Sequence, residues 1–192
     1  MSPDSQTLAL AFEAAQRAVA LNDSYPWGHG FLGVVYVAQK QYEPAIAEME
    51  RAVALDPHDA GVNAVQAEIL SRAGKAKEAV RMVEQALRLK PSAPDAHLAS
   101  VGIAYALAGQ YEETLAPLKQ FLARYPNILS PHLTLAAVYS ELGRDAEAQA
   151  EAAEVLRLNP KFSLEVHKER APIKDSTVLE RHITALRKAG LK

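Results

Sequence analysis

The residues of this chain best suited to chemistry are six histidines, His29, His58, His97, His132, His167 and His182. Two histidines one helical turn apart, or a His-Glu-x-x-His run, would hold a metal ion. The six are dispersed, and none pairs with another at a ligand spacing. His29 and His132 share a column of a repeating pattern but lie about three units apart, too far to share an ion. Paired acids, Glu112-Glu113 and Glu43 with Glu48, have the right type for acid–base work but fall on expected helix surfaces, where solvated faces are the simpler reading. There is no Gly-rich phosphate loop, no Gly-x-Ser-x-Gly and no cysteine, which removes thiolate metal sites, disulfides and cysteine nucleophiles. The expectation is no catalysis, no metal and no cofactor, with histidines that pack or hydrogen-bond locally.

The elements that position these residues are set by four prolines. Pro57, Pro91, Pro126 and Pro160 recur at 34, 35 and 34 residues, the length of a helix–turn–helix repeat. The longer interval comes from an extra residue near Ser92-Ala93-Pro94. Alignment on the prolines superposes small residues at Gly33, Ala67, Gly102 and Ala136, three positions before Tyr36, Leu70, Tyr105 and Tyr139. Small residues let two helices approach closely, and the large ones fill the space behind. Ala45, Ala79, Thr114 and Ala148 form a second small column, followed by Met49, Val83, Leu118 and Ala152, spaced as on an amphipathic helix. Gly74, Gly109 and Gly143 fall just past helix ends, where a left-handed cap is expected, with Lys40 as the exception. The pattern predicts antiparallel helix pairs over 26–39/43–55, 60–73/77–89, 95–108/112–124 and 129–142/146–158.

Composition agrees with a stacked helical array. Hydrophobic residues make up 49%, aromatics 6%, and the net charge is −2. No apolar run approaches the ~20 residues needed to span a bilayer, so no membrane insertion is expected. The start of the chain lacks the basic, then apolar, pattern of a secretion signal, and a cytoplasmic location is the default.

The Leu32-Gly33-x-x-Tyr36 run, the small columns and the closing prolines resemble the tetratricopeptide repeat. The match covers residues 26–160, with departures at His29, Asn63, Leu98 and His132, where the family has tryptophan, and at Gln66. The second unit is the least orthodox. The resemblance implies an all-α, right-handed superhelical solenoid divided as 1–25 (an N-terminal helix, the second half of a truncated repeat), 26–59, 60–94, 95–128 and 129–162 (four repeats), and 163–192 (C-terminal capping helices). In the last of these, Thr177-Val178-Leu179-Glu180 reads as a capping box, Gly190 as a terminator, and Val178, Leu179, Ile183 and Leu186 as the stripe that covers the last repeat. The tail from Asn159-Pro160-Lys161-Phe162 to Leu186-Arg187-Lys188-Ala189-Gly190-Leu191 is also similar to the C-terminal end of bacterial class III adenylate/guanylate cyclases that carry such arrays. That likeness implies a regulatory module of a bacterial signalling protein.

By analogy with the family, the first helix of each pair lines a concave groove. Its inward positions include Trp27, Val34 and Val37, then Glu68 and Arg72, then Ile103 and Leu107, then Leu133 and Glu141. The groove is largely apolar, with Gly30, Val34 and Ala64 where a carboxylate clamp needs basic and asparagine side chains. It therefore suits the apolar face of a protein or peptide helix, with Trp27 as the leading anchor. Three alternatives stay open. Trp27 packs on Phe12 or Tyr25, the groove is filled by the chain's own tail or a second copy, or the array stabilises an attached domain. Residues 161–192 carry eight Lys/Arg against four Asp/Glu, but without an aromatic platform nucleic acid is not an expected partner. Pro117 lies inside the second helix of the third unit, where a local bend is expected.

Overall fold

The computed structural model describes residues 3–89 and 95–192, the side chains of 3–5, 95 and 96 excepted. Expectations resting on Pro91 and on the extra residue near Ser92–Pro94 lie outside the described residues. All regular structure within them is helical: α1 (Pro3–Leu21), α2 (Pro26–Ala38), α3 (Tyr42–Leu55), α4 (Ala60–Arg72), α5 (Ala76–Leu89), α6 (Asp95–Leu107), α7 (Tyr111–Arg124), α8 (Leu129–Glu141), α9 (Asp145–Leu158), α10 (Leu164–Arg170) and α11 (Ser176–Lys188). The four expected pairs are α2/α3, α4/α5, α6/α7 and α8/α9. The first helix of each pair packs against both helices of the pair before it, and α2, α4, α6 and α8 make one continuous inner layer.

The turn within each pair is built by one device. Gly74, Gly109 and Gly143 take φ of 81°, 81° and 71°, and Lys40 takes 59° at the equivalent place. The next residue's N–H then reaches back to the carbonyls of Tyr36, Leu70, Tyr105 and Tyr139 at 2.8–2.9 Å. This is the paired closure of the Schellman motif. The same columns that pack the pair thus also terminate its first helix.

The close approach expected of the small columns is present. A Cβ at Gly33 would lie 3.0 Å from Met49 Cγ, and one at Gly102 would lie 2.4 Å from Leu118 Cδ2. Met49, Leu118, Val83 and Val155 are fully buried behind those columns. The apolar interior runs along the array in three clusters, and the largest joins α6–α9 to Leu164, Ile183, Leu186 and Leu191 of the tail. α7 is helical without interruption from Tyr111 through Pro117, so the proline enters a helix that is already formed.

The tail corrects one expectation. Thr177 does not cap α11; Asp175 does, with Oδ1 accepting the N–H groups of Thr177 at 2.8 Å and Val178 at 3.1 Å. Aspartate two residues earlier supplies the acceptor that a Thr-x-x-Glu box would have supplied. Gly190 does terminate the helix, at φ 103°, and Ile183 and Leu186 seal the last repeat as expected.

Candidate peptide-binding groove

On a helix, residues three, four and seven apart share one face. Phe31, Val34 and Ala38 of α2, with Trp27 one turn before them, therefore align with Val65, Glu68 and Arg72 of α4, with Ser100, Ile103 and Leu107 of α6, and with Thr134, Ala137 and Glu141 of α8. The tail divides this inner face into two unlike halves. After α10 the chain runs extended through Ala171-Pro172-Ile173 and returns to the first two repeats. There the Lys174 N–H donates to the Arg72 carbonyl at 2.8 Å, and Lys174 Nζ pairs with Glu43 at 2.5 Å. Lys40 Nζ donates to the Glu169 carbonyl at 2.6 Å. Residues 164–175 thus form a strap from the fourth repeat to the first and second.

Beneath the strap lies a cavity of about 290 Å³. Five of the expected groove residues line it together: Arg72, Ile103, Leu107, Leu133 and Glu141. Its roof is Ala171, Pro172, Ile173 and the first turns of α11. Glu68 holds Arg72 from the side, accepting from its Nε at 2.9 Å and Nη2 at 2.8 Å, and takes the Ser100 hydroxyl at 2.6 Å on its other oxygen. The Tyr111 hydroxyl lies in reach of Glu141, and burial, the larger cause, raises its pKa.

The open half is α2. Phe31 is 53% and Val34 46% exposed, whereas Ile103, in the column of Val34, is 6% exposed beneath the strap. Phe31 is not among the expected groove residues, although its place one turn after Trp27 puts it on the same face. Val37 must be moved from the groove to the core: it is buried with Met49, Val62 and Ile69, because the helix turns it toward α3. Trp27 packs on neither Phe12 nor Tyr25. Its ring stacks on His97 with centroids 5.6 Å apart and contacts Phe31. Its Nε1 donates to Asp59 Oδ2 at 2.9 Å, while Phe12 meets Tyr36 edge-on.

Four of the six histidines fall into two kinds. His29 and His132 are bound locally and in the same way. Nδ1 faces Glu48 at 2.7 Å and Glu151 at 2.6 Å, and Nε2 donates to the carbonyls of Asp23 and Pro126, each at 3.0 Å. Asn63 occupies the same column and donates to the Pro57 carbonyl at 3.2 Å. These side chains tie α2, α4 and α8 to the loops before them. Glu151→Ala strands the buried His132 Nδ1 and is expected to cost about 1–3 kcal/mol in denaturant melts, with helicity unchanged under native conditions.

His167 and His182 depart from the expectation that the histidines pack or hydrogen-bond locally. Their Nε2 atoms lie 3.2 Å apart at the wall of the cavity. They are 15 residues apart in sequence, so only the fold of the tail joins them. Among the described residues no group of three His, Cys, Asp or Glu is placed to hold a metal ion.

Parts of the chain match the tetratricopeptide repeat family, over residues 29–59 and 130–162 and over 101–127. No curated protein matches by sequence. Among solved structures, TTC0263 of Thermus thermophilus, a thermophilic tetratricopeptide-repeat protein, is 26% identical; the alignment covers 94% of this chain and 91% of that one, with a TM-score of 0.63. PilW, a type IV pilus biogenesis factor, is 18% identical over 97% of this chain and 84% of its own, with a TM-score of 0.64. YrrB, described as having an unusual peptide-binding site, is 19% identical over 93% and 91%, with a TM-score of 0.54. The described helices form an all-α solenoid of the tetratricopeptide-repeat type. No helix among the described residues is long and apolar enough to cross a membrane.

Proposed function

We propose that the chain is a non-catalytic scaffold that binds a protein or peptide on its inner face, with the open half at α2 as the point of entry. One observation carries this reading. Phe31 and Val34 remain about half exposed beside Trp27 on the inner layer, while Ile103 and Ala137, in the column of Val34, are each 6% exposed at the cavity beneath the strap. Two apolar side chains one turn apart, next to a held tryptophan, suit the apolar stripe of an amphipathic helix. The polar side chains on this face are already engaged: Glu68 with Arg72 and Ser100, Glu141 with Tyr111. Recognition is thus expected to rest on shape and apolar contact more than on ion pairs. YrrB's description as peptide-binding agrees with such a use of this fold. The likeness of the tail to cyclase-linked arrays supports a place in bacterial signalling and a cytoplasmic setting.

Val34→Asp is the direct test. It puts a charge on an exposed apolar site, so stability is expected to stay within about 0.5 kcal/mol. Capture of the cellular partner by the tagged full chain should fall at least tenfold. Undiminished capture by Val34→Asp and by Phe31→Ser would remove this face from the site.

A second reading, self-association, has its own observation. Leu10 and Leu21 of α1 are 60% and 79% exposed. Light scattering across a concentration series separates the two, since a monomer whose partner binding survives Leu10→Asp leaves the scaffold reading alone.

A further inference from the structure

The strap covers one half of the inner groove, and the His167–His182 pair joins its α10 end to α11. Two ring nitrogens at 3.2 Å make a hydrogen bond only if one carries a proton and the other presents a lone pair. Protonation of both turns the contact into two N–H groups facing each other, each on a cation. The groups facing the pair do not compensate for that. From α4 the charge is Arg72, itself held by Glu68. From α7 and α8 come Tyr111 and Glu141, which engage each other, and the strap segment lines the cavity with Ala171, Pro172 and Ile173. α11 adds Arg181, which lies over the Tyr111 ring. α10 adds Lys168, paired with Glu180 at 2.6 Å, and Phe162 packs on the His167 ring.

We propose that His167 and His182 form an acid-sensitive latch that holds the strap over the closed half of the groove and releases it under mildly acidic conditions. The proposal rests on the groove reading above for its consequence, because release would join the covered apolar surface of Ile103, Leu107 and Leu133 to the open face of α2.

The direction of the effect follows from where each ring is neutral. Burial, then the neighbouring His167 and Arg72, hold His182 down to about 3, and burial, then Arg72, lower His167. Both docked values lie below the ordinary ~6.5 of a solvated histidine. The docked strap is therefore fully favoured above pH ~6.5 and loses that advantage as the pH falls toward the docked values. At pH 5, a ring that stays neutral when docked and ionises when free lowers the docking constant roughly 30-fold. The outer anchor does not share this loss, since hydrogen bonding to Lys174 lowers the Glu43 pKa and keeps it ionised through the same range.

Hydrogen exchange of the full chain, read by mass spectrometry at pH 7 and pH 5 and corrected for intrinsic rates, tests the latch without any partner. Protection of residues 164–175 should fall at least tenfold at pH 5, while α2–α5 keep theirs. His182→Leu should retain protection at both values. Should that variant fold poorly, a proton titration of the wild-type histidine rings replaces it, with the His182 midpoint expected below the ordinary ~6.5. Equal strap protection at the two values, or a His182 midpoint near 6.5, overturns the latch. Loss of partner capture in Val34→Asp tests the groove separately, so either idea can fail without the other.

Discussion

Trp27→Ala should lower stability by about 2–4 kcal/mol, well beyond the effect of an ordinary groove substitution. Full truncation of a buried tryptophan costs about 3–5 kcal/mol, and this indole is partly exposed. It nevertheless makes two distinct contacts beyond its own helix. Its Nε1 donates to Asp59, the residue that caps α4 through Gly61 and Val62. Its ring lies on His97 of α6, and that imidazole is seated against Gly61, where a Cβ would come within 2.2 Å of it. One side chain therefore links the first, second and third units. In a solenoid, where stability is a sum of units and nearest-neighbour interfaces, such a link couples units that would otherwise melt separately. Trp27→Phe keeps a ring on His97 and loses only the hydrogen bond, so about 0.5–1.5 kcal/mol is expected. Because Trp27 is the single tryptophan, fluorescence of the wild type reports this junction directly, and circular dichroism melts report the variants. A Trp27→Ala chain as stable as wild type would show that the junction contributes nothing.

This prediction also alters how the tryptophan enters function. As a groove anchor alone, it should be removable without unfolding the array. Held by Asp59 and His97, it is a fixed wall against which Phe31 and Val34 present themselves. Loss of binding in Trp27→Ala would therefore not distinguish a contact from a collapsed junction. Val34→Asp and Phe31→Ser do make that distinction, because both side chains are exposed.

What the sequence makes legible is whatever repeats. The proline interval and the Gly33, Ala67, Gly102 and Ala136 column place every helix pair, since the same residue types must meet the same neighbours in each unit. The shared column of His29, Asn63 and His132 is likewise a repeated tie to the preceding loop. What does not repeat is hidden. The strap over Arg72 and Ile103, and the meeting of His167 with His182, depend on where a non-repeating tail lies relative to distant helices. No period encodes that. Asp175 is obscured for a related reason: Thr177-Val178-Leu179-Glu180 is a complete capping pattern by itself, and a better-placed acceptor lies two residues earlier. Val37 is misplaced because a spacing of three or four on a short helix drifts from one face toward its neighbour within three turns.

The close approach at Gly102 gives the other large effect. A methyl group there would sit 2.4 Å from Cδ2 and 2.5 Å from Cγ of Leu118, and Leu118 is fully buried, so it has no open space into which to turn. Gly102→Ala would gain about 1 kcal/mol from helix propensity at an exposed site. Here overpacking opposes that gain, and a net loss of about 1–3 kcal/mol is expected. Leu118→Ala removes the opposing side chain and leaves a void, at about 2–5 kcal/mol. The two changes are complementary in space, so they should not add. In the double variant the new methyl occupies part of the void, the clash is gone and the propensity gain returns. The double variant is expected to be at least as stable as Leu118→Ala alone, a coupling of about 1–3 kcal/mol between residues in contact. Urea midpoints of the four chains measure it. Strict additivity would mean that α6 and α7 separate to accommodate the methyl group, and that the small column at Gly33, Ala67, Gly102 and Ala136 does not set the spacing of the helix pairs.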